Sequence, residues 1–288
     1  MNEFLDNVAK VSVLVFVVTS MATSGLSLRV RELVEPLRRI RLVLLAIVAN
    51  FVVVPLAAYG LTELFPLHRP YAIGLLLLSG AAGAPFLPKL VEAAKGDLAF
   101  SVALMLLLTI GTILFMPLVL PLLIPGLAAD PWPILRPLLL TMLVPIAAGM
   151  VVKAQSERWA QRLHPGFKVV SNVTMLLAVV LLLVLNFSAM VGTFGTGAIA
   201  MALVFVALAL GTGYLLGGPA NQTRSVLGLG TGQRNVAAAL VIATQSFDDP
   251  GVAVMLLVTT FAGLVVLLIA ARRFARMDAK ARSRVQAT

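Results

Sequence analysis

Two side chains, Lys89 and Arg234, could do chemistry that an apolar span does not otherwise offer. Of the 22 basic residues in the chain, these two fall within apolar runs rather than between them. A cation at membrane depth costs several kcal/mol unless it is paired or faces water, and is by default a functional-site candidate. Two such cations suit the binding of an anion, or the replacement of a metal cation by a fixed charge. Acid–base, nucleophilic and metal chemistry have little to work with. There is no cysteine, and His68 and His164 are the only histidines, expected in loops on opposite sides. No GxSxG, HExxH or intramembrane acidic pair is present, so the chain is not expected to be an enzyme.

Each cation follows an interruption. The stretch YAIGLLLLSGAAGAPFLPKLVEAAK is smooth until Gly80, Gly83, Pro85 and Pro88, with Lys89 next. Prolines remove amide donors and clash with the preceding turn. The stretch RSVLGLGTGQRNVAAALVIATQ carries Gly228, Gly230 and Gly232, then Gln233, Arg234 and Asn235. Glycines within a helix each cost about 1 kcal/mol relative to alanine. The expectation is two helices broken near mid-membrane, at matching places in two halves. Irregular backbone at that depth must be buried in protein or line a wet cavity, and paired broken spans are a pointer to a transporter binding site. Pro55, Pro117 and Pro121 are expected to be ordinary kinks.

The elements that must hold these residues are transmembrane helices. Sixty per cent of the 288 residues are apolar and 12% are charged, too few charges for a soluble domain. The apolar runs are long enough to span a bilayer. Nine spans are expected, at 10–27, 39–62, 71–95, 97–124, 133–154, 167–189, 195–217, 223–245 and 251–272. With the N-terminus outside, seventeen basic residues fall on the inner side, from Arg29, Arg31 and Arg38 to the tail Arg282 and Arg284. Lys10, Arg69 and Arg136 fall outside. That asymmetry predicts a multi-pass protein of the plasma (inner) membrane, N-terminus out and C-terminus cytoplasmic. Glu3 and Asp6 argue against a cleavable signal peptide. The +10 balance is spread over loops, so no nucleic-acid partner is expected. Trp132 and Trp159 are expected at the membrane interface, and Gly213 and Gly217 form a small-residue face suited to internal packing. Oligomeric state is left open.

Three stretches carry a resemblance that runs nearly end to end. They are GLSLRVRELVEPLRRIRLVLLAIVANFVVVPLAAY, GAPFLPKLVEAAKGDLAFSVAL, and the second broken span with Gly232, Asn235 and its alanine-rich continuation. Together they resemble the bile acid:sodium symporter family, as a divergent nine-helix member. The resemblance implies an all-α fold of inverted repeats in one transmembrane domain, 1–288. It further implies panel helices at about 10–27, 133–154 and 167–189, with core helices at about 39–124 and 195–272. It implies secondary transport of a small organic anion, a bile acid or a carboxylate such as pantothenate or pyruvate, by alternating access.

The family holds two sodium ions around its crossing helices, and most of those ligand positions differ here. By the resemblance, its glutamate falls on Gly230, a glutamine on Arg234, a Ser-Asn pair on Leu87 and Pro88, and a threonine on Met105. Ser101, Asn235 and Asn50 remain as residual sodium-site positions. Two fixed cations would repel a sodium ion, so Lys89 and Arg234 are expected to stand where the family places its ions, and transport to be sodium-independent. Sodium-coupled symport through the remaining ligands, or an anion channel, stays open. The expected substrate site is Lys89, Arg234, Gln233, Asn235, Thr231 and Asn50, bordered by Phe86, Leu87, Met105 and Met116. Other readings of single residues also stay open: Lys89 snorkelling to the inner surface, Arg234 bridging to Glu92, and Asn50, Ser101, Thr109 and Gln233 as interhelical hydrogen-bond glue.

Overall fold

The computed structural model describes residues 2–27, 38–124 and 130–286, with side chains described for 4–27, 38–124 and 130–279. Residues 28–37, with Arg29 and Arg31, lie outside the described residues, as do the side chains of Lys280, Arg282 and Arg284. The fold is all-α. In chain order the helices are α1 (Asn2–Ser27), α2 (Ile40–Leu64), α3 (Arg69–Gly80), α4 (Leu87–Ala93), α5 (Leu98–Leu123) and α6 (Trp132–Gln155), then α7 (Glu157–Val191), α8 (Ala198–Leu216), α9 (Asn221–Gly232), α10 (Val236–Ser246) and α11 (Pro250–Gln286). Among the described residues eight helical stretches are long and apolar enough to cross a membrane, α9 and α10 counting together as one. The expected span 71–95 corresponds to α3 and α4, neither of which is long enough alone, so eight candidate spans stand against the nine expected. This is an integral multi-pass membrane protein.

Both breaks fall where expected, but the second has a different cause. In the first, residues 81–86 are non-helical, and Pro88 sits in the first turn of α4, where its missing amide costs no helical hydrogen bond. In the second, α9 runs straight through Gly228 and Gly230 and ends at Gly232. Those glycines serve packing. A side chain at Gly228 would press on Tyr214, and one at Gly230 would press on Leu87 and Leu104. Across the same interface, a Cβ on Gly213 would lie 2.6 Å from the Thr231 hydroxyl, so the expected Gly213 face is an internal contact between α8 and α9.

Two boundaries differ from expectation. The polar residues 155–166 are not a loop. Ser156 accepts a hydrogen bond from the Trp159 amide (3.3 Å) and starts α7, which continues for 35 residues, so His164 lies on a helix. Likewise α11 continues past residue 272 to Gln286. In both, basic polar turns extend an apolar span without any residue that stops a helix, apart from Pro165, which α7 absorbs. Trp132 and Trp159 are both exposed.

Two spans contain a wide π-turn, at Ala49–Val53 in α2 and Leu139–Leu143 in α6. Each is followed by a proline, Pro55 and Pro145. A helical proline ring clashes with the carbonyl four residues back, which is Phe51 in one case and Thr141 in the other. The π-turn widens the helix at that carbonyl. Pro55 is therefore more than a kink, because its π-turn carries Asn50 into the protein interior. In packing, α1 lies along α6 and α7, while α3, α8, α9 and α10 gather around α11, and α5 packs on α3, α4 and α9.

Candidate functional site: the crossing of the broken helices

The centre of the site is Arg234, 7% exposed, in the three-residue gap between α9 and α10. Its Nε donates to the Leu78 carbonyl (3.1 Å) and one terminal nitrogen donates to the Ser79 carbonyl. The other terminal nitrogen donates to the Asn50 side-chain oxygen (2.8 Å) and the Thr231 carbonyl (3.3 Å). Leu78 and Ser79 end α3, and Thr231 ends α9. The last carbonyls of a helix have no intrahelical partner and carry the negative end of its dipole. The guanidinium thus joins the negative ends of two half-helices, and its planar fork reaches several acceptors at once. Among the described residues no carboxylate pairs with it. Glu92 is exposed and takes no part, so the Arg234–Glu92 bridge is not formed.

Asn50 holds this cation from the π-turn of α2. Its side chain is fully buried, accepts from Arg234, and donates to the Thr231 hydroxyl (3.1 Å) and the Ala46 carbonyl (2.9 Å). Asn235 ties the two gaps together. Its amide donates to the Ala81 carbonyl (2.8 Å), its side-chain nitrogen to the Gly83 carbonyl (3.3 Å), and its side-chain oxygen caps α10 by accepting from Ala238 (3.2 Å). From α5, the Thr109 hydroxyl donates to Gly83 (2.9 Å), and the Thr112 hydroxyl accepts from the Ala82 amide (2.8 Å) and bonds to the Ala82 carbonyl (3.0 Å). A non-helical segment buried in the membrane needs such partners for its backbone groups.

The structure brings Arg234, Asn50, Thr231 and Asn235 together. It does not bring Lys89 or Ser101 to them. Lys89 is exposed on α4, and its ammonium donates to the Asn172 side chain of α7 (3.3 Å) and lies 5.7 Å from the Phe86 ring centre. Ser101 is buried but bonds only to its own helix, at the Leu98 carbonyl (2.7 Å). Gln233 adjoins the crossing with a buried side-chain oxygen that has no protein partner. Two polar partners were not singled out from the sequence: Thr112, which bonds to the first break, and Asn172, which meets Lys89. Thr112 lies one turn beyond Thr109, and that spacing was the available signal. Among the described residues no group of three or more histidine, cysteine or acidic side chains could hold a metal ion.

An all-α membrane protein with two broken helices crossing around a buried polar cluster is the class this geometry defines. The family model for the Sodium Bile acid symporter family matches residues 13–193, and the chain belongs to that family. The matched stretch includes the first broken span and ends before the second, where Arg234 lies. The chain is 26% identical over 268 residues to the probable sodium/metabolite cotransporter BASS6, chloroplastic, of Arabidopsis thaliana, covering 86% of this chain and 65% of that one. It is 34% identical over 146 residues to the uncharacterized sodium-dependent transporter YocS of Bacillus subtilis (strain 168), covering 48% of this chain and 44% of that one. The chain thus spans less than two thirds of the length of either relative.

Proposed function

We propose that this chain is a sodium-independent secondary transporter of small organic anions, working by alternating access. The observation that carries the reading is the Arg234 guanidinium seated on the end carbonyls of α3 and α9. Carbonyl and amide oxygens converging on one point are the donors a hard cation wants. Here they are taken by a cation that is part of the chain. Its charge is balanced by dipoles and its donors are nearly all used, so its role is to hold the crossing, in the place where relatives named for sodium would hold an ion.

The substrate contact then falls to Lys89, whose side chain is exposed and meets only neutral partners, Asn172 and the Phe86 ring, among the described residues. Gln233 is the second contact, through its side-chain N–H groups, since its carbonyl oxygen only accepts. Asn50, Thr231 and Asn235 serve the crossing rather than the substrate, because their groups are engaged with Arg234 and the broken backbone. In this reading α1, α6 and α7 form the panel and the remaining helices a core of two inverted repeats, each containing one broken span. The packing of α1 on α6 and α7 supports that division, and the distribution of basic loops supports an N-out, C-in orientation in the plasma membrane.

In proteoliposomes, uptake of labelled pantothenate, pyruvate or taurocholate is expected to proceed at equal rates in sodium and in potassium. A strict sodium requirement would sink the proposal. An anion pore with a buried cation is the second reading, favoured by the same Arg234. Counterflow separates the two, because a pore shows no stimulation by unlabelled substrate on the far side.

A further inference from the structure

The face of α7 that carries Asn172 leads to a second polar place. Asn186 lies fourteen residues further along α7, which is roughly 21 Å of helix and within about 40° of the same face. There it borders a cavity of about 540 Å³ between α1, α6 and α7 on one side and the end of α10 on the other. Asp6, Asp248 and Asp249 line that cavity, with Lys10 as its one basic group. Lys10 is paired to Asp6 at 2.7 Å, and Asp249 accepts from the Gly251 amide at 2.8 Å. The two ends of the face therefore differ in sign. The Asn172 end presents an ammonium, and the Asn186 end presents an excess of carboxylates.

This asymmetry meets a second fact, and the step that follows rests on the proposed sodium-independent transport. Arg234 is covalently part of the chain and returns with it at the end of every cycle. It moves no net charge across the membrane, whereas a co-transported sodium ion would. The charge moved per cycle is then that of the substrate alone.

We propose that the chain is an exporter, in which an organic monoanion loads at Lys89 and Asn172 and leaves through the acid-lined cavity, driven outward by the membrane potential. An inside-negative potential of roughly 100 mV acts on one moved charge with about 2.3 kcal/mol, a distribution of about 50-fold in favour of the outside. The acid-lined end lowers the affinity for the anion where it is released, and the Lys89 end raises it where it is captured. With the orientation expected from the basic loops, Lys89 is at the cytoplasmic end and the cavity at the outer end.

The test uses the full-length protein in sodium-free proteoliposomes loaded with labelled pyruvate, pantothenate or taurocholate, with potassium gradients and valinomycin setting the potential. The steady-state distribution does not depend on which way the protein is inserted. An inside-negative potential is expected to empty the vesicles of a transported probe towards the 50-fold limit, and an inside-positive potential to retain it. Lys89→Gln is expected to raise the half-saturating concentration about tenfold, as loss of one charged contact would, without changing the final distribution. A distribution insensitive to potential, or accumulation under an inside-negative potential, overturns the export inference and leaves sodium-independent transport standing. Movement only in the presence of sodium overturns both. If no probe moves in either salt, the organic-anion reading fails, and export with it.

Discussion

Arg234→Ala is expected to lower the melting temperature of the detergent-solubilised protein by about 10 °C. The guanidinium is the shared partner of the Leu78, Ser79 and Thr231 carbonyls and the Asn50 side chain. Truncation leaves the Ser79 and Thr231 carbonyls and the Asn50 oxygen without this partner, at about 1–3 kcal/mol each when not relieved, while the Leu78 carbonyl keeps its bond from the Ala81 amide (3.1 Å). Water entry would relieve part of this, and the partners left behind are neutral, so a net loss of about 3 kcal/mol is expected. Arg234→Lys is expected to fall between, since an ammonium restores the charge but cannot reach both half-helix ends with one planar fork. The two substitutions also separate a structural arginine from a stand-in for an ion. Once Arg234 is truncated, the exposed oxygens form an unfilled cation site. The Arg234→Ala protein is therefore expected to melt at a higher temperature in sodium than in choline, while the unaltered protein melts equally in both. If Arg234→Ala melted with the unaltered protein, the carbonyl contacts would carry no energy and the proposed replacement of sodium would fall.

The first break was legible because proline and glycine act on the backbone of their own neighbourhood; the second was placed correctly, but Gly228 and Gly230, on which it was read, lie inside α9. The spans themselves were legible for the same reason, since hydropathy is a local property. The partners of Arg234 were not. Asn50 is 184 residues away, and what aims it inward is a π-turn, a departure from the period on which helical faces are counted. Placing Lys89 beside Arg234 followed from their similar positions after each break. Yet α4 begins after six irregular residues, so its rotation about its axis is set by packing against α5 and cannot be counted from α3. That rotation puts Lys89 outward toward Asn172 and Leu87 inward against Gly230. Gly228 and Gly230 look like helix breakers in sequence and are helix-packing residues in the fold, because low helix propensity is outweighed where a close neighbour needs the space.

Gly83→Ala tests whether the first break is a built feature or a tolerated weakness. Gly83 has φ +75°, in the left-handed region. An added Cβ would lie 2.6 Å from the Thr109 hydroxyl and 2.7 Å from the Met105 carbonyl, at the point where Thr109 also donates to the Gly83 carbonyl. Left-handed backbone costs a residue with a Cβ about 1–2 kcal/mol, and overpacking adds about 1–3 kcal/mol. The two arise from one atom and act together, so a loss of roughly 3 kcal/mol or more is expected, with loss of transport. Gly60→Ala is the matched control: it lies within α2 with nothing within 4 Å of the added atom, and is expected to be neutral or to stabilise by up to about 1 kcal/mol through helix propensity. Thr109→Val removes the hydroxyl while keeping the backbone, and is expected to cost about 1 kcal/mol. If Gly83→Ala cost no more than Thr109→Val, the unwound segment would be soft enough to move aside. The rigid crossing that keeps Arg234 on the α3 carbonyls would then not exist. A cost well above that of Thr109→Val means that the backbone at Gly83, held by α5, fixes where α3 ends and so where its free carbonyls meet the arginine.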